Sequence, residues 1–263
     1  MTVTPIVWIT GASSGIGLAL CHAYAARGAK LVLSARSFDK LEAVRLSLPY
    51  PEKHLVLPLD LIDSSIFEAK VHQVVKHFSR IDILINNGGI SQRGEASKSP
   101  LDVDRKIMEV NYFGTIALTK AVLPVMQKQQ SGHIVTISSI AGKFGFYWRS
   151  AYAASKHALQ GFFESLYLEE AKNNIYVTLV YPGKINTPIS LNAINEYGQP
   201  HGVMDHNQKQ GMDAAVCAKK IIRAVELKKQ EVLIGNKEIL AVYFKRYCPW
   251  LFWRIIRKQT PTG

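Results

Sequence analysis

The stretch PIVWITGASSGIG, residues 5–17, decides how the chain is read. PIVWIT is a short, almost wholly apolar run of the kind a strand covered on both faces requires. It ends in a turn carrying Gly11, Gly15 and Gly17, and a helical pattern opens immediately afterwards. Glycines let backbone amides approach a phosphate closely, and a helix N-terminus adds a dipole that favours a diphosphate. A glycine-rich turn alone is weak evidence, but the strand before it and the helix after it are the context such a turn needs. No Gly-Lys-Ser/Thr follows, which counts against phosphoryl transfer, and an ordinary strand-to-helix turn is the competing reading.

Working outward, six further Val/Ile-rich runs repeat the first: AKLVLSA (29–35), HLVLPLD (54–60), IDILIN (81–86), HIVTIS (133–138), IYVTLV (175–180) and EVLIG (231–235). Segments of helical spacing lie between them, at 15–27, 38–48, 64–78, 100–130, 151–172 and 212–228. Strand and helix alternating along the whole chain imply an α/β fold, a Rossmann-type doubly wound parallel sheet of about seven strands with helices on both faces. At 263 residues this predicts a single domain over 1–263. The helix opening at Ser99-Pro100 is expected to kink at Pro124. That helix and the one from 151 are apolar around much of their circumference, which predicts a homodimer or homotetramer burying their outer sides. The irregular segment 184–211 is long for a connection and is a candidate substrate lid.

Composition narrows the class. Cys21, Cys217 and Cys248 are odd in number and far apart, giving neither a disulfide framework nor metal-ligand spacing, so all three read as packing residues in a reducing, cytoplasmic compartment. The opening residues show no basic region followed by a long apolar stretch. Eight histidines are scattered with no Glu or Cys completing a zinc pattern, so no metal is expected. The formal charge is +12, half of it between Lys228 and Lys258, where eight basic residues meet only Glu231 and Glu238. No recognised binding motif accompanies this charge, so nucleic acid is not the expected partner.

Two local patterns carry chemistry. In LSARS (33–37), Arg36 stands where an NAD-binding chain would offer Asp or Glu to the ribose hydroxyls, and Asp39 comes too late. A guanidinium suits a 2′-phosphate, so NADP(H) is expected and NAD is less favoured. In SAYAASKHA (150–158), Tyr152 and Lys156 lie one helical turn apart among strong helix formers, so their polar ends can converge. Taken alone, the pair could equally be a solvated helix face. Ser139 at the end of the fifth strand, NNGG (86–89) after the fourth and YPGKINT (181–187) after the sixth share one sheet edge with them, and packing alone does not explain that convergence.

With these motifs assembled, nearly the whole chain resembles the short-chain dehydrogenase/reductase family. Thr10, Gly11, Gly15 and Gly17 match its cofactor turn, Asn86 to Gly89 its Asn-Asn-Ala-Gly, Asn111 its helix asparagine, and Ser139, Tyr152 and Lys156 its active set. The later text GKINTPISLNAINEYGQPHGVMD and the C-terminal composition further resemble the dehydrogenase/reductase member 7 and 7B branch. Gly88 replaces the family's alanine, and Tyr147 stands where relatives often have proline.

The resemblance implies hydride transfer between NADPH and a carbonyl or secondary alcohol. Tyr152 would act as general acid/base, Lys156 and the oxidised nicotinamide favouring its phenolate. Ser139 would orient the carbonyl oxygen, Lys156 would hold the nicotinamide ribose, and Asn111 would position a water linking Lys156 to solvent. For the cofactor, Gly11, Ser13, Ser14, Gly15, Ile16 and Gly17 would line the diphosphate and adjoining ribose, with Arg36 at the 2′-phosphate. Asp60 and Leu61 would flank the adenine, and Asn87, Gly88 and Gly89 the central ribose. Pro182, Gly183, Ile185 and Thr187 would frame the nicotinamide.

Phe144, Phe146, Tyr147 and Trp148, with Ile189, Leu191 and Ile194, suggest an apolar pocket for a hydrophobic substrate. The basic, aromatic C-terminal segment, about 236–263, fits two readings: an interfacial helix making peripheral contact with anionic lipid, or a helix packed beside the substrate cleft or another subunit. A non-catalytic NADP-sensing protein on the same fold is the alternative function, although a sensor has no need to keep the Ser, Tyr and Lys set.

Overall fold

A computed structural model of the chain describes residues 4–258. All seven expected strands form one parallel sheet: β1 (Ile6–Thr10), β2 (Lys30–Ser34), β3 (Leu55–Val56), β4 (Ile83–Asn86), β6 (Gly132–Ile137), β7 (Ile175–Pro182) and β9 (Glu231–Ile234). Two short strands outside it, β5 (Gln92–Arg93) and β8 (Ile194–Asn195), pair with each other. The main sheet runs in the order β3-β2-β1-β4-β6-β7-β9. The chain builds outward from β1 to β3 and then reverses to lay β4 on the other side of β1, Val7 opposite Ile83. That reversal opens a crevice at the carboxyl ends of β1 and β4, where ligands bind in such sheets.

Alternation along the strands sends successive side chains to opposite layers. Val7 and Ile9 of β1 join Leu31, Leu33, Val135 and Val180 in a core closed by α1 (Gly15–Ala25), α2 (Phe38–Ser47) and α8 (Ala214–Glu226). Ile6 and Trp8 join Val32, Leu84, Ile134 and Val177 in a second core, closed by α3 (Phe67–Phe78), α5 (Gly114–Gln129) and α6 (Ser150–Glu170). Cys21 and Cys217 are buried in the first core, as packing residues, and burial pushes the Cys217 thiol up to about 12. Cys248 is a free, half-buried thiol between two C-terminal helices, α9 (Leu240–Tyr247) and α10 (Pro249–Ile256).

The long helix expected over 100–130 is corrected by the structure. It divides into α4 (Leu101–Met108) and α5, joined by a π turn at Glu109–Phe113, and the helix continues through Pro124. The π turn presents Asn111, and π turns commonly mark functional positions. Segment 184–211 is tied down at several points. β8 pairs with β5, Ile185 bridges to Met212, and the segment contains α7 (His206–Lys209).

Candidate functional site

Thr10, the last residue of β1, joins the two halves of the crevice. Its hydroxyl accepts from the backbone N–H groups of Asn87 (3.0 Å) and Gly88 (2.9 Å) and donates to the Ile85 carbonyl at 3.3 Å. Asn87 returns its side-chain amide to the carbonyls of Thr10 (2.9 Å) and Gly11 (3.3 Å). Gly11 has φ +64° and Gly15 φ +56°, conformations that L side chains rarely adopt. A Cβ at Gly17 would come closer to the Gly11 carbonyl oxygen than real Cβ atoms do. Ser14 precedes α1 in extended conformation and makes no side-chain cap bond.

A cleft of about 300 Å³ runs from this turn past Asn87, Gly88 and Gly89 to Ser139, Tyr152 and Lys156. Gly11, Ser14, Gly15, Ile16, Pro182, Gly183, Ile185 and Thr187 line it too. The remaining expected residues sit around it. Ser13 is half-buried within the turn, and Gly17 is buried behind it. Arg36 is exposed beyond the end of β2 with no side-chain partner among the described residues. Asp60 caps its own turn through Ile62 N–H at 3.1 Å, and the Leu61 side chain lies where a Cβ on Gly88 would project.

These features fit a dinucleotide. Among the described residues the first N–H groups of α1 have no side-chain acceptor, and glycine at 11 and 15 keeps the turn open. At Gly89 a Cβ would press on the Asn111 amide at 3.0 Å and stand 3.6 Å from Lys156 Nζ.

At the other end of the cleft, Tyr152 occupies the first turn of α6. Burial pushes its phenol up, while a hydrogen bond with Ser139 and the positive charges of Arg149 and Arg93 pull the other way. Lys156 Nζ donates to the Ile137 carbonyl at 3.0 Å and lies 5.8 Å from the Tyr152 ring centre. Its burial lowers the ammonium to about 8. The cations drawing on the phenol are thus two arginines, a difference from the sequence expectation, which named only Lys156 within the protein.

Asn111, presented by the π turn, uses its amide as a bracket. Oδ1 accepts from Ile90 N–H (2.8 Å), while Nδ2 donates to the Ile90 carbonyl (2.9 Å) and to Ser155 Oγ (3.0 Å). It thereby fixes the loop after β4, at Gly89–Ile90, against the helix carrying Tyr152.

Sequence reasoning missed several residues that hold the substrate side. Gln92 of β5 accepts from Ala151 N–H at 2.9 Å and Tyr152 N–H at 3.4 Å, satisfying donors at the start of α6. Its neighbour Arg93, with a 4 % exposed side chain, and Arg149 both bind the Asp205 carboxylate, Arg149 at 2.9 Å. Glu238 accepts from Lys184 N–H at 2.9 Å and steadies the end of β7. Only Arg149, three residues before Tyr152, carried a sequence signal: helical spacing. Asp205 lies 112 residues from Arg93 and carried none.

The expected apolar wall is only partly correct. Phe146, Tyr147 and Ile189 line the cleft, joined by Ile256 of α10. Phe144 instead packs into a separate cluster with Ile140 and Phe252 of α10, its ring 5.1 Å from that of Phe252. Ile194 packs with Val103, Ile107 and Ala151, and Leu191 and Trp148 lie outside the lining. Adjacency in sequence does not decide the lining, which depends on which side of the loop each residue faces.

A glycine-opened helix N-terminus and a buried phenol with a hydroxyl and an ammonium beside it, at opposite ends of one cleft, describe a dinucleotide-dependent oxidoreductase. The sequence pattern of the family "short chain dehydrogenase" matches residues 5–197, and the chain belongs to that family, whose fold binds a nicotinamide cofactor. It is 46% identical over 263 residues to the "Dehydrogenase/reductase SDR family protein 7-like" of Anopheles gambiae, covering 97% of this chain and 82% of that one. It is 44% identical to the "Dehydrogenase/reductase SDR family member 7B" of Mus musculus, covering 97% and 80%. These relatives bear out the resemblance to the member 7 and 7B branch. Among solved structures, a short-chain dehydrogenase from Streptomyces avermitilis superposes with a TM-score of 0.83 at 28% identity, over 97% of this chain and 98% of that one.

Proposed function

We propose that the protein is an NADP(H)-dependent oxidoreductase acting on the carbonyl or secondary alcohol of a hydrophobic small molecule, with Tyr152 as general acid/base. The observation that carries this reading is Tyr152, buried in a cleft that Ser139 and Lys156 also line, with the Lys156 ammonium 5.8 Å from its ring. The turn at Gly11–Gly17, with Ser13 and Ser14, would hold the diphosphate, and Asp60 and Leu61 would flank the adenine. Asn87 to Gly89 would follow the ribose, and Pro182, Gly183, Ile185 and Thr187 the nicotinamide. The unpartnered, exposed guanidinium of Arg36 supports NADP over NAD, because a 2′-phosphate offers it a charge-assisted contact.

When bound, the nicotinamide supplies or removes the hydride. Ser139 orients the substrate oxygen, and Tyr152 gives it a proton in reduction or takes one in oxidation. Lys156 adds positive charge on the cofactor side, and Asn111 keeps the helix and the strand end in register. Phe146, Tyr147, Ile189 and Ile256 supply the apolar wall for the substrate. Segment 184–211 serves as the lid over it. The outward sides of α5 and α6 suit a homodimer or homotetramer. Tyr247, Trp250 and Trp253, exposed among Arg246, Arg254 and Arg257, suit peripheral contact with anionic lipid.

The test is titration with NADPH and NADH followed by turnover of a panel of hydrophobic ketones and aldehydes. Tighter NADPH binding that Arg36→Ala abolishes, and carbonyl-dependent oxidation of NADPH that falls about 10²–10⁴-fold in Tyr152→Phe, are expected. A folded protein that binds neither cofactor would sink the reading.

A further inference from the structure

The substrate side of the cleft holds a charge arrangement that the proposed roles do not use. Arg93, on β5, is almost completely buried. Its guanidinium bonds the Asp205 carboxylate, Ser91 Oγ at 2.9 Å and the Gln92 carbonyl. Arg149 bonds the same carboxylate at 2.9 Å and the Tyr147 carbonyl at 3.1 Å. Two guanidiniums thus share one carboxylate, leaving a net positive charge at the wall of the cleft that also contains Tyr152. The placement is built in. The backbone turns left-handed at Trp148 (φ 59°), immediately before Arg149, and the Trp148 carbonyl accepts from Gly94 N–H at 3.1 Å, next to Arg93. Gln92, Arg93's neighbour, holds the N–H of Tyr152 itself.

We propose that Arg149, clamped with Arg93 by Asp205, is a positioning residue that holds a positive charge against the Tyr152 phenol from the substrate side and so makes its phenolate accessible. The proposal rests on the reading of Tyr152 as general acid/base. A phenol buried this deeply is a poor proton donor unless its anion meets a cation, because burial penalises the charged form. The charged and titratable groups around it are Lys156 from α6, Arg149 and Tyr147 from the loop that leads into α6, Arg93 from β5, and Asp205 and Lys184 from segment 184–211. Lys156 is committed to the Ile137 carbonyl and is itself lowered to about 8 by burial, so its charge fades just above neutral pH. Arg149, though burial and Arg93 push it down to about 10, keeps its charge across that range.

The consequence reaches the segment over the cleft. Asp205 belongs to 184–211, so the position of that segment sets how much of the arginine charge is neutralised beside Tyr152. Removing Asp205's charge and removing Arg149's must then move the phenol in opposite directions, which loosened packing would not do.

The test places a ring-difluorinated tyrosine at position 152 of the full chain. The fluorines acidify the phenol and bring its titration into the range of the folded protein, and fluorine NMR follows it without cofactor. Against the wild-type background, the midpoint is expected to rise by about one pH unit with Arg149→Gln, stay close with Arg149→Lys and fall with Asp205→Asn. Coincident midpoints for Arg149→Gln and the wild-type background, or shifts of one sign for Arg149→Gln and Asp205→Asn, would overturn the proposal. If Arg149→Gln does not fold, the sign of the Asp205→Asn shift decides, a fall supporting the proposal and no change or a rise overturning it. Absence of carbonyl turnover in the unmodified protein would instead count against the proposed function, which the fluorine titration does not read.

Discussion

The two ends of the cleft are held by different means. At the β1 and β4 ends, the contacts run between backbone and short side chains: Thr10 to Asn87 and Gly88, Asn87 to Thr10 and Gly11, with glycines at the closest approaches. At the substrate end, long side chains reach between remote segments. Arg93 meets Asp205, the Tyr147 hydroxyl donates to the Arg257 carbonyl at 3.2 Å, and Lys245 donates to the Lys143 carbonyl at 2.7 Å. The first end depends on backbone shape, which tolerates no added atoms. The second depends on side-chain pairing between segments remote in the chain.

That contrast can be broken most directly at Gly17. Gly17→Ala drives a methyl into the Gly11 carbonyl, which is backbone at the end of β1, and onto the Asn87 side-chain amide that bonds it. A loss of about 3 kcal/mol in denaturant melts, together with lost dinucleotide binding, is expected. Wild-type stability and binding would show that the turn yields as easily as the substrate end.

Phe252→Ala is the counterpart at the other end. The side chain is 2 % exposed and packed on Phe144 and Phe244, but α10 covers only one face of the fold. About 2 kcal/mol of local stability should be lost, less than for a central core Phe. Hydrogen exchange should rise in α9, α10 and loop 143–149 while β1 and β4 keep their protection; loss of protection throughout would make the two ends one cooperative unit.

Lys156→Met sharpens the contrast by separating function from stability. The ammonium falls from 10.5 to about 8 in the folded chain, so the unfolded chain binds more protons between those values. The burial penalty is therefore full below pH 8 and is relieved as the pH rises toward 10.5. Lys156→Met should raise stability at pH 7 by about 2 kcal/mol after loss of the Ile137 bond, with the gain shrinking from pH 8 to 10.5. Equal melts for both proteins across that range would refute the penalty.

The smallest effect is expected at Trp250, 71 % exposed on α10. Trp250→Ala should change stability by less than about 0.5 kcal/mol while weakening co-sedimentation with anionic vesicles. Unchanged sedimentation would leave the exposed face of α10 without a lipid role. No helix among the described residues is long and apolar enough to cross a membrane.

The fold was legible because its signals are local. Seven apolar runs became seven strands, since a parallel sheet covered on both faces demands continuous Val/Ile/Leu-rich segments and little else has that pattern. The helix continues through Pro124 as expected, but the π turn at Asn111 was not legible. Local propensity says where a helix can break, but the side chain that needs re-aiming is chosen by Ile90 and Ser155, which approach from elsewhere in the fold. The tail shows the same limit. Sequence offered packing beside the cleft or an interfacial helix as alternatives. In the structure Phe252 and Ile256 pack beside the cleft while Tyr247 and Trp250 face outward, because the faces of a helix can serve different neighbours.

By itself, then, the sequence determined the sheet, the glycine turn, and the presence of Ser139, Tyr152 and Lys156 at one sheet edge, because strand periodicity, left-handed glycines and helical spacing act within a few residues. Only the tertiary structure decided that Tyr152 faces two arginines tethered to Asp205, that Asn111 brackets Ile90, and that Ile256 closes the cleft. The Asn111 and Asp205 contacts join residues from 21 to 112 positions apart, and electrostatic coupling in a cleft depends on distance and burial, which exist only once the chain has folded.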